Sequence, residues 1–307
     1  MNLRQFRYFV GVVDAGSFSR AATSLRIAQP ALSQQISNLE REMGTELLIR
    51  SQRGVRPTAA GNMFYRSARS VLNEIEHLRT AVQTADGLVG EVTFGLTSSF
   101  SGTFAAPIVA AVMARHPHIR LNIHDGAGNV LYDGLLRGTL DIAVMHEDVE
   151  NSGLQRKPLY QQRLFFVERK LAKGPALGKI RMADLVGRDL VLPALPNPSR
   201  AVIENALLAL GARPNVTAMA NSRSAVLSLV AGGIGGTVLA WGGAIDPAFK
   251  WSEIIEPSIS HDVSLCTARL LPRSEIVEAV QVIAEEVVMG IVRAPAWKGA
   301  VFKPAAR

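Results

Sequence analysis

The chain has 307 residues, 48% hydrophobic and 19% charged, which predicts about two folded domains and excludes general disorder. A single cysteine, Cys266 in "VSLCTAR", excludes a disulfide framework and every multi-cysteine zinc pattern, fits a reducing compartment, and reads as a strand residue. The net charge of +7 is uneven. The first 88 residues hold 11 arginines, no lysine and 7 acids, against 22 basic and 19 acidic residues in the remaining 219, so an anionic partner is expected at the N-terminal end.

The opening "MNLRQFRYFVGVVDAG" lacks the long apolar run of a secretory signal, and a cytoplasmic protein is expected. Leu3, Phe6, Val10 and Val13 recur at helical spacing and predict a first helix that stops near Gly16. Ser17 is placed to cap a second, short helix, "FSRAATSL", with Phe18, Ala21, Ala22 and Leu25 on its apolar side. In a third helix Leu32, Ile36, Leu39 and Met43 form one stripe, which leaves Gln29, Ser33, Gln34 and Ser37 on the opposite face. Pro30 fits its first turn, where no intrahelical donor is lost. Two short helices joined tightly, the second polar outside near its start, predict a helix-turn-helix. Glutamine there can form a two-bond pair with adenine, and serine can bond base edges or phosphates. An ordinary three-helix bundle with a solvated face is the alternative.

"ELLIRSQRGVRPT" has an apolar run over 47–49, a turn over 51–54 and a returning strand at Val55 and Arg56. It predicts a hairpin with Arg50, Arg53 and Arg56 at or beside the tip, a wing placed for phosphates or the minor groove. Pro57 ends that strand and Thr58 can cap the next helix, "AAGNMFYRSARSVLNEIEHLRTAVQTAD". Along it Phe64, Ala68, Val71, Ile75, Leu78, Val82 and Ala85 alternate at steps of four and three, a seam for the same helix of a second subunit. A long surface helix packed on its own domain is the alternative. A dimer would set two recognition helices on an interrupted inverted repeat of duplex DNA.

"ADGLVG" breaks the helical pattern and predicts a hinge, after which strands and helices alternate. "EVTFGLT", "RLNIHDG", "LDIAVMH", "DLVLPALP", "NVTAMAN" and "GGTVLAW" read as strands. "FAAPIVAAVMARHP", "NVLYDGLLRG", "SRAVIENALLALG", "SAVLSLVAGG" and "SEIVEAVQVIAEEVV" read as helices. This order predicts parallel sheets covered on both sides. The uncharged stretch 224–245 is long enough to span a membrane, but its glycines favour a short buried helix, a turn and a buried strand. Thr97, Ser98 and Ser99 end the first strand ahead of a helix, where hydroxyls and free N–H groups suit a carboxylate. Simple capping is the alternative. His116, His118 and His124 fall on a helix end and a strand with no paired-ligand spacing, and no nucleophile elbow or phosphate loop occurs. No metal, no cofactor and no enzymatic activity are expected. The tail "RAPAWKGAVFKPAAR" leaves two options, disorder or packing between subunits.

The segments "GSFSRAA", "AQPALSQQI", "LE…MG…LL.R" and "RGV..T.AG", in this order at the N-terminus, resemble the DNA-binding domain of LysR-type transcriptional regulators, and the rest of the chain is similar to that family more loosely. The resemblance implies an N-terminal all-α winged helix-turn-helix (1–58), a long dimerisation linker helix (59–88) and a C-terminal α/β effector domain (89–307). That domain is periplasmic-binding-protein-like, with two subdomains and crossovers near 165–168 and 263–268. It implies DNA contact by Gln29, Pro30, Ser33, Gln34 and Arg53, to which the polar face and the wing add Ser37 and Arg50. It implies an unknown small-molecule effector in a cleft at Thr97, Ser98 and Ser99, bordered by His146, Ser199, Arg200 and Ser222. A packed His146 is an equal reading. Assembly as a dimer or dimer of dimers, double-stranded promoter DNA and RNA polymerase as partners, and no membrane follow. Ala28 stands where many members have a capping Ser or Thr, and Gln34 where many have Arg. "GNVLYDGL", "LDIAVMHE" and "LLPR" look like the nitrogen-assimilation-control type within the family. A cytoplasmic solute-binding protein with a protein-interaction head is the rival.

Overall fold

Helix α1 (Leu3–Ala15) starts at Asn2, whose side chain accepts from the Gln5 backbone N–H at 3.0 Å while the Gln5 side chain accepts from the Asn2 N–H at 2.9 Å. The structure is a computed structural model that describes residues 1–51, 54–83, 88–147, 153–170, 176–194, 197–243, 246–269 and 274–302, the side chains at 73, 74, 76–83 and 198 aside. Helices α2 (Phe18–Leu25) and α3 (Gln29–Met43) follow, and β1 (Leu48–Ser51) pairs antiparallel with β2 (Gly54–Pro57) as the wing. The Thr58 hydroxyl accepts from the Gly61 N–H at 2.9 Å and so caps α4 (Ala59–Gln83). A Cβ on Gly61 would stand 1.9 Å from the Leu47 carbonyl oxygen, so the helix can abut the strand entrance only with glycine there.

The head has its own core of Phe9, Val12, Ala21, Leu32, Ile36, Leu39, Leu47 and Phe64. Each fully buried large apolar side chain contributes roughly 1.5–3 kcal/mol. In α1 the buried line runs through Gln5, Phe9 and Val12, and Leu3 is exposed, which shifts the expected stripe by about one residue. Phe64 of α4 decides the offset, because it meets Phe6 and Phe9 edge-on at 5.3 and 5.0 Å. In α3 the stripe stops at Leu39, and Met43 is exposed one turn beyond the core. Ser17 occupies the N-cap position of α2 without a side-chain capping bond, and Ala28 does so for α3, with Pro30 in its first turn.

The body begins with β3 (Gly90–Thr97), α5 (Ser101–Arg115), β4 (Ile119–Gly126), α6 (Gly128–Arg137) and β5 (Ile142–Glu147), β3 lying parallel between β4 and β5. The long strand β6 (Leu154–Arg169) comes next. A second series follows: β7 (Leu177–Arg181), a 3-10 turn (Met182–Leu185), β8 (Asp189–Leu192), α7 (Pro198–Leu208), β9 (Asn215–Met219), α8 (Arg223–Ala231), β10 (Thr237–Ala240) and β11 (Phe249–Ile255). Strand β12 (Ser260–Ala268), α9 (Glu275–Arg293) and β13 (Ala300–Val301) complete it.

Two sheets share β6. Its residues 154–163 pair with β12, which pairs on its other side with β5, while residues 164–169 pair with β10 and β11. The chain therefore enters the second sheet at Arg163–Leu164 and returns between Ile255 and Ser260. The return lies ahead of the expected 263–268, because a strand's apolar run does not reveal which sheet it joins. The stretch 224–245 contains all but the first residue of the nine-residue helix α8 and a four-residue strand, and no helix among the described residues is long and apolar enough to cross a membrane. Cys266 is buried on β12 with Leu131, Leu135 and Met145.

In its described part the tail packs on the body of its own chain. Trp297 stacks on Phe104 at 5.4 Å, donates from Nε1 to the Gln162 side-chain oxygen at 2.8 Å, and is followed by β13 on β6.

Candidate DNA interface and effector cleft

With Leu32, Ile36 and Leu39 turned inward, α3 presents Gln29, Pro30 and Gln34 to solvent. Gln29 is steadied by α2, its side-chain oxygen accepting from the Ser19 hydroxyl at 3.0 Å. Gln34 donates to the Asn38 side chain one turn on, at 3.0 Å. Ser33 and Ser37 are half-buried beneath Arg50, whose guanidinium donates to their hydroxyls at 3.3 and 3.4 Å and to Glu40 at 3.2 Å. The same guanidinium lies 4.9 Å above the Phe18 ring. Arg50 is thus a strut joining wing, recognition helix and α2.

Sequence reasoning missed Glu40. Its other oxygen accepts the Leu47 and Leu48 backbone N–H groups at 2.9 and 3.0 Å, which fixes the entrance of the wing on α3. The signal was present as an acid on the third helix followed by an arginine ten residues later, but a helical acid ordinarily reads as solvated. Arg53 lies outside the described residues. Arg20, Arg26, Arg41 and Arg56 are exposed on the head.

The predicted seam on α4 divides. Phe64 and Ala68 are buried in the head's own core and are not open to a second helix. Val71 is 40% exposed and Ile75 half-buried. The side chains of Leu78 and Val82 lie outside the described residues.

In the body Thr97 is 5% exposed, and its hydroxyl has no partner among the described residues. The Ser98 hydroxyl donates to Asp125, which also accepts from the Ser101 hydroxyl at 2.6 Å, so an acid of the chain itself stands beside the start of α5. Ser99 is half-buried. His146 is a packed core residue, 4.7 Å from the Phe100 ring and 4.8 Å from the His261 ring. Burial, and secondarily His261, hold its pKa well below the usual imidazole value. Ser199 lies half-buried in the first turn of α7. Arg200 is engaged in cis by Glu204 at 2.7 Å and the Pro193 carbonyl at 3.0 Å. Ser222 caps α8, accepting from the Ala225 N–H at 3.2 Å.

The residue after it, Arg223, went unread because arginine in a first helical turn looks solvated. Its guanidinium sits 5.4 Å from the Trp251 ring centre and donates to the Ala240 carbonyl at 3.2 Å. Burial lowers its pKa from the ordinary guanidinium value. A Cβ on Gly242 would fall 2.8 Å from its Nη2 and 3.1 Å from the Ser99 carbonyl oxygen, so Arg223 and the loop after β3 converge on this glycine from the two halves of the body.

A winged helix-turn-helix carried on a two-lobed α/β body defines a DNA-binding transcriptional regulator with an effector domain. Residues 3–62 match the family described as "Bacterial regulatory helix-turn-helix protein, lysR family", and residues 85–287 match "LysR substrate binding domain". The chain belongs to the LysR family. It is 34% identical over 289 residues to the nitrogen assimilation regulatory protein nac of Klebsiella aerogenes, covering 91% of this chain and 94% of that one. It is 32% identical over 304 residues to nac of Escherichia coli (strain K12), covering 96% of each. Among solved structures, full-length OxyR of Pseudomonas aeruginosa superposes with a TM-score of 0.70 at 21% identity, over 94% of this chain and 98% of that one. CbnR in complex with its target DNA gives 0.59 at 21% identity, over 93% and 99%. Both share the fold. The solute-binding alternative gives way, since the head itself is of the DNA-binding family.

Proposed function

We propose that this regulator binds promoter DNA at an interrupted inverted repeat as a dimer, or a pair of dimers, and adjusts RNA polymerase activity in the cytoplasm in response to a small molecule. Its units are 1–58 for DNA, 59–88 for dimerisation and 89–307 for regulation. The observation that carries the reading is the exposed Gln29 and Gln34 on a helix whose opposite side buries Leu32, Ile36 and Leu39. Gln29, Pro30 and Gln34 meet the groove, Arg53 the backbone, and Arg50 holds Ser33 and Ser37 for it. Val71, Ile75, Leu78 and Val82 remain for the partner helix. Thr97, Ser99 and Ser222 border the effector cleft, and a ligand there acts through different affinities for two subunit arrangements. Likeness to nac over nearly the whole chain supports targets in nitrogen metabolism.

The test is titration of the full chain against its own promoter and a scrambled duplex at moderate ionic strength. A preference of about a thousandfold or more is expected. Equal binding to both contradicts the reading.

A further inference from the structure

We propose that Asp14, Tyr65 and Arg69 set the tilt of α4 against the head, and that this tilt fits a pair of heads to one separation of half-sites on DNA. The three are positioning residues that act through α4 rather than on a base. The proposal rests on the reading of the protein as a dimer on an inverted repeat and adds what selects the spacing of that repeat.

The root of α4 is fixed by the Thr58 cap and by Gly61 against the Leu47 carbonyl. Just beyond it Phe64 meets Phe6 and Phe9. Such apolar contact is non-directional and leaves the helix able to tilt. Direction comes from one acid. The Tyr65 hydroxyl donates to one Asp14 oxygen. Arg69, one turn on, donates from Nη1 to the other Asp14 oxygen at 3.4 Å and to the Tyr65 hydroxyl at 3.0 Å. Its guanidinium lies 5.8 Å from the Tyr65 ring centre. Two successive turns of α4 are thereby tied to a single residue of α1, and a tilt about either contact breaks the other.

Asp14 stands in the last turn of α1, where the negative end of a helix disfavours an acid. Its place is explained by what it holds, not by the helix that carries it. The buried Tyr65 ring already serves the core, and an exposed ion pair adds little stability, so what the polar contacts supply is direction. Burial, and then Asp14, push the Tyr65 pKa up to about 12, which keeps the hydroxyl a donor at neutral pH. Small tilts matter here. From Tyr65 to the middle of the Val71–Val82 seam the helix runs roughly 17 Å, so a tilt of about 10° displaces the seam by about 3 Å. One base pair moves a half-site by about 3.4 Å and turns it by about 35°. A head of fixed tilt accepts one spacing; a head that tilts accepts its neighbours as well.

The full chain is titrated at fixed salt against its own operator, against versions with one base pair inserted or deleted between the half-sites, and against a single half-site. The parent binds the natural spacing about tenfold or more tightly than either neighbour. Tyr65→Phe and Asp14→Asn cut that preference to about threefold or less, or move the best spacing by one base pair, while their affinity for the single half-site stays within about twofold of the parent. Ser67→Ala, exposed on the same helix, keeps the parent's preference. Thermal melts show which variants are folded, and Asp14→Asn, at an exposed position, decides the matter if Tyr65→Phe does not fold. A parent-like preference in the folded variants, an equal loss on every duplex, or a parent indifferent to spacing overturns the proposal. The parent alone tests the underlying reading. If it binds two half-sites no better than one, the dimer on its repeat falls; if it binds the pair better and the variants match it at every spacing, only the role of the three residues falls.

Discussion

Glu40 and Arg50 join the recognition helix to the wing: the guanidinium of one lies 3.2 Å from the carboxylate of the other, whose second oxygen holds the Leu47 and Leu48 N–H groups. One acid therefore orients the wing on α3. Glu40→Ala should cost about 1–3 kcal/mol of head stability, since it leaves part-buried N–H groups unsatisfied, and should weaken operator binding together with it. Denaturant unfolding and DNA titration of the same variant check this. Unchanged stability with unchanged affinity would remove Glu40 from the account.

The two ends of the α4 seam should respond differently. Phe64→Ala empties a core position between Phe6 and Phe9 and should cost about 3–5 kcal/mol. Val71→Asp, at an exposed position, should leave the head folded and shift the protein toward monomer in sedimentation. A dimer as tight as the parent would move the interface elsewhere.

Stability should fall in mild acid. Burial and then His261 depress the His146 pKa, and burial lowers that of His261 to about 4 against the opposing charge of Asp262. Both imidazoles stay neutral in the folded chain where the unfolded chain takes up protons, so their contribution is full above about pH 6.5 and is lost as pH falls toward 4. His261 alone accounts for about 3 kcal/mol of that loss. His146→Phe should reduce the slope of unfolding free energy between pH 7 and 5. A slope equal to that of the parent would show that His146 does not titrate as described.

Trp297 ties the tail to β6 and α5. Trp297→Ala removes the stack on Phe104 and the bond to Gln162, and should cost about 3–5 kcal/mol. A melting temperature within a degree or so of the parent would place the tail outside the cooperative unit.

The head was readable because its signals are local: a four–three stripe in α3, glycines at the ends of α1 and α3, proline in a first turn and a turn between two short strands. Much of the body was readable for the same reason, as β3, β4, β5 and their helices alternate in sequence. What escaped depends on contacts distant in sequence. Strands β7, β11 and β13 have little apolar periodicity and exist because β6 and its neighbours offer them an edge. Glu40 and Arg223 look like solvated helical charges until tertiary packing brings Arg50 to one and Trp251 to the other. Phe64 and Ala68 fit a coiled-coil seam by spacing, and only the position of α1 shows that they face inward.

The central claim is that Gln29, held on the outer face of α3, reads a base. The most direct measurement is the affinity of Gln29→Ala against the operator and against a set of operators changed at one base pair at a time, at fixed salt. The account predicts a loss of about 1–3 kcal/mol on the operator, confined to a single base position, with the salt dependence unchanged. An equal loss on every duplex, scrambled DNA included, would contradict it.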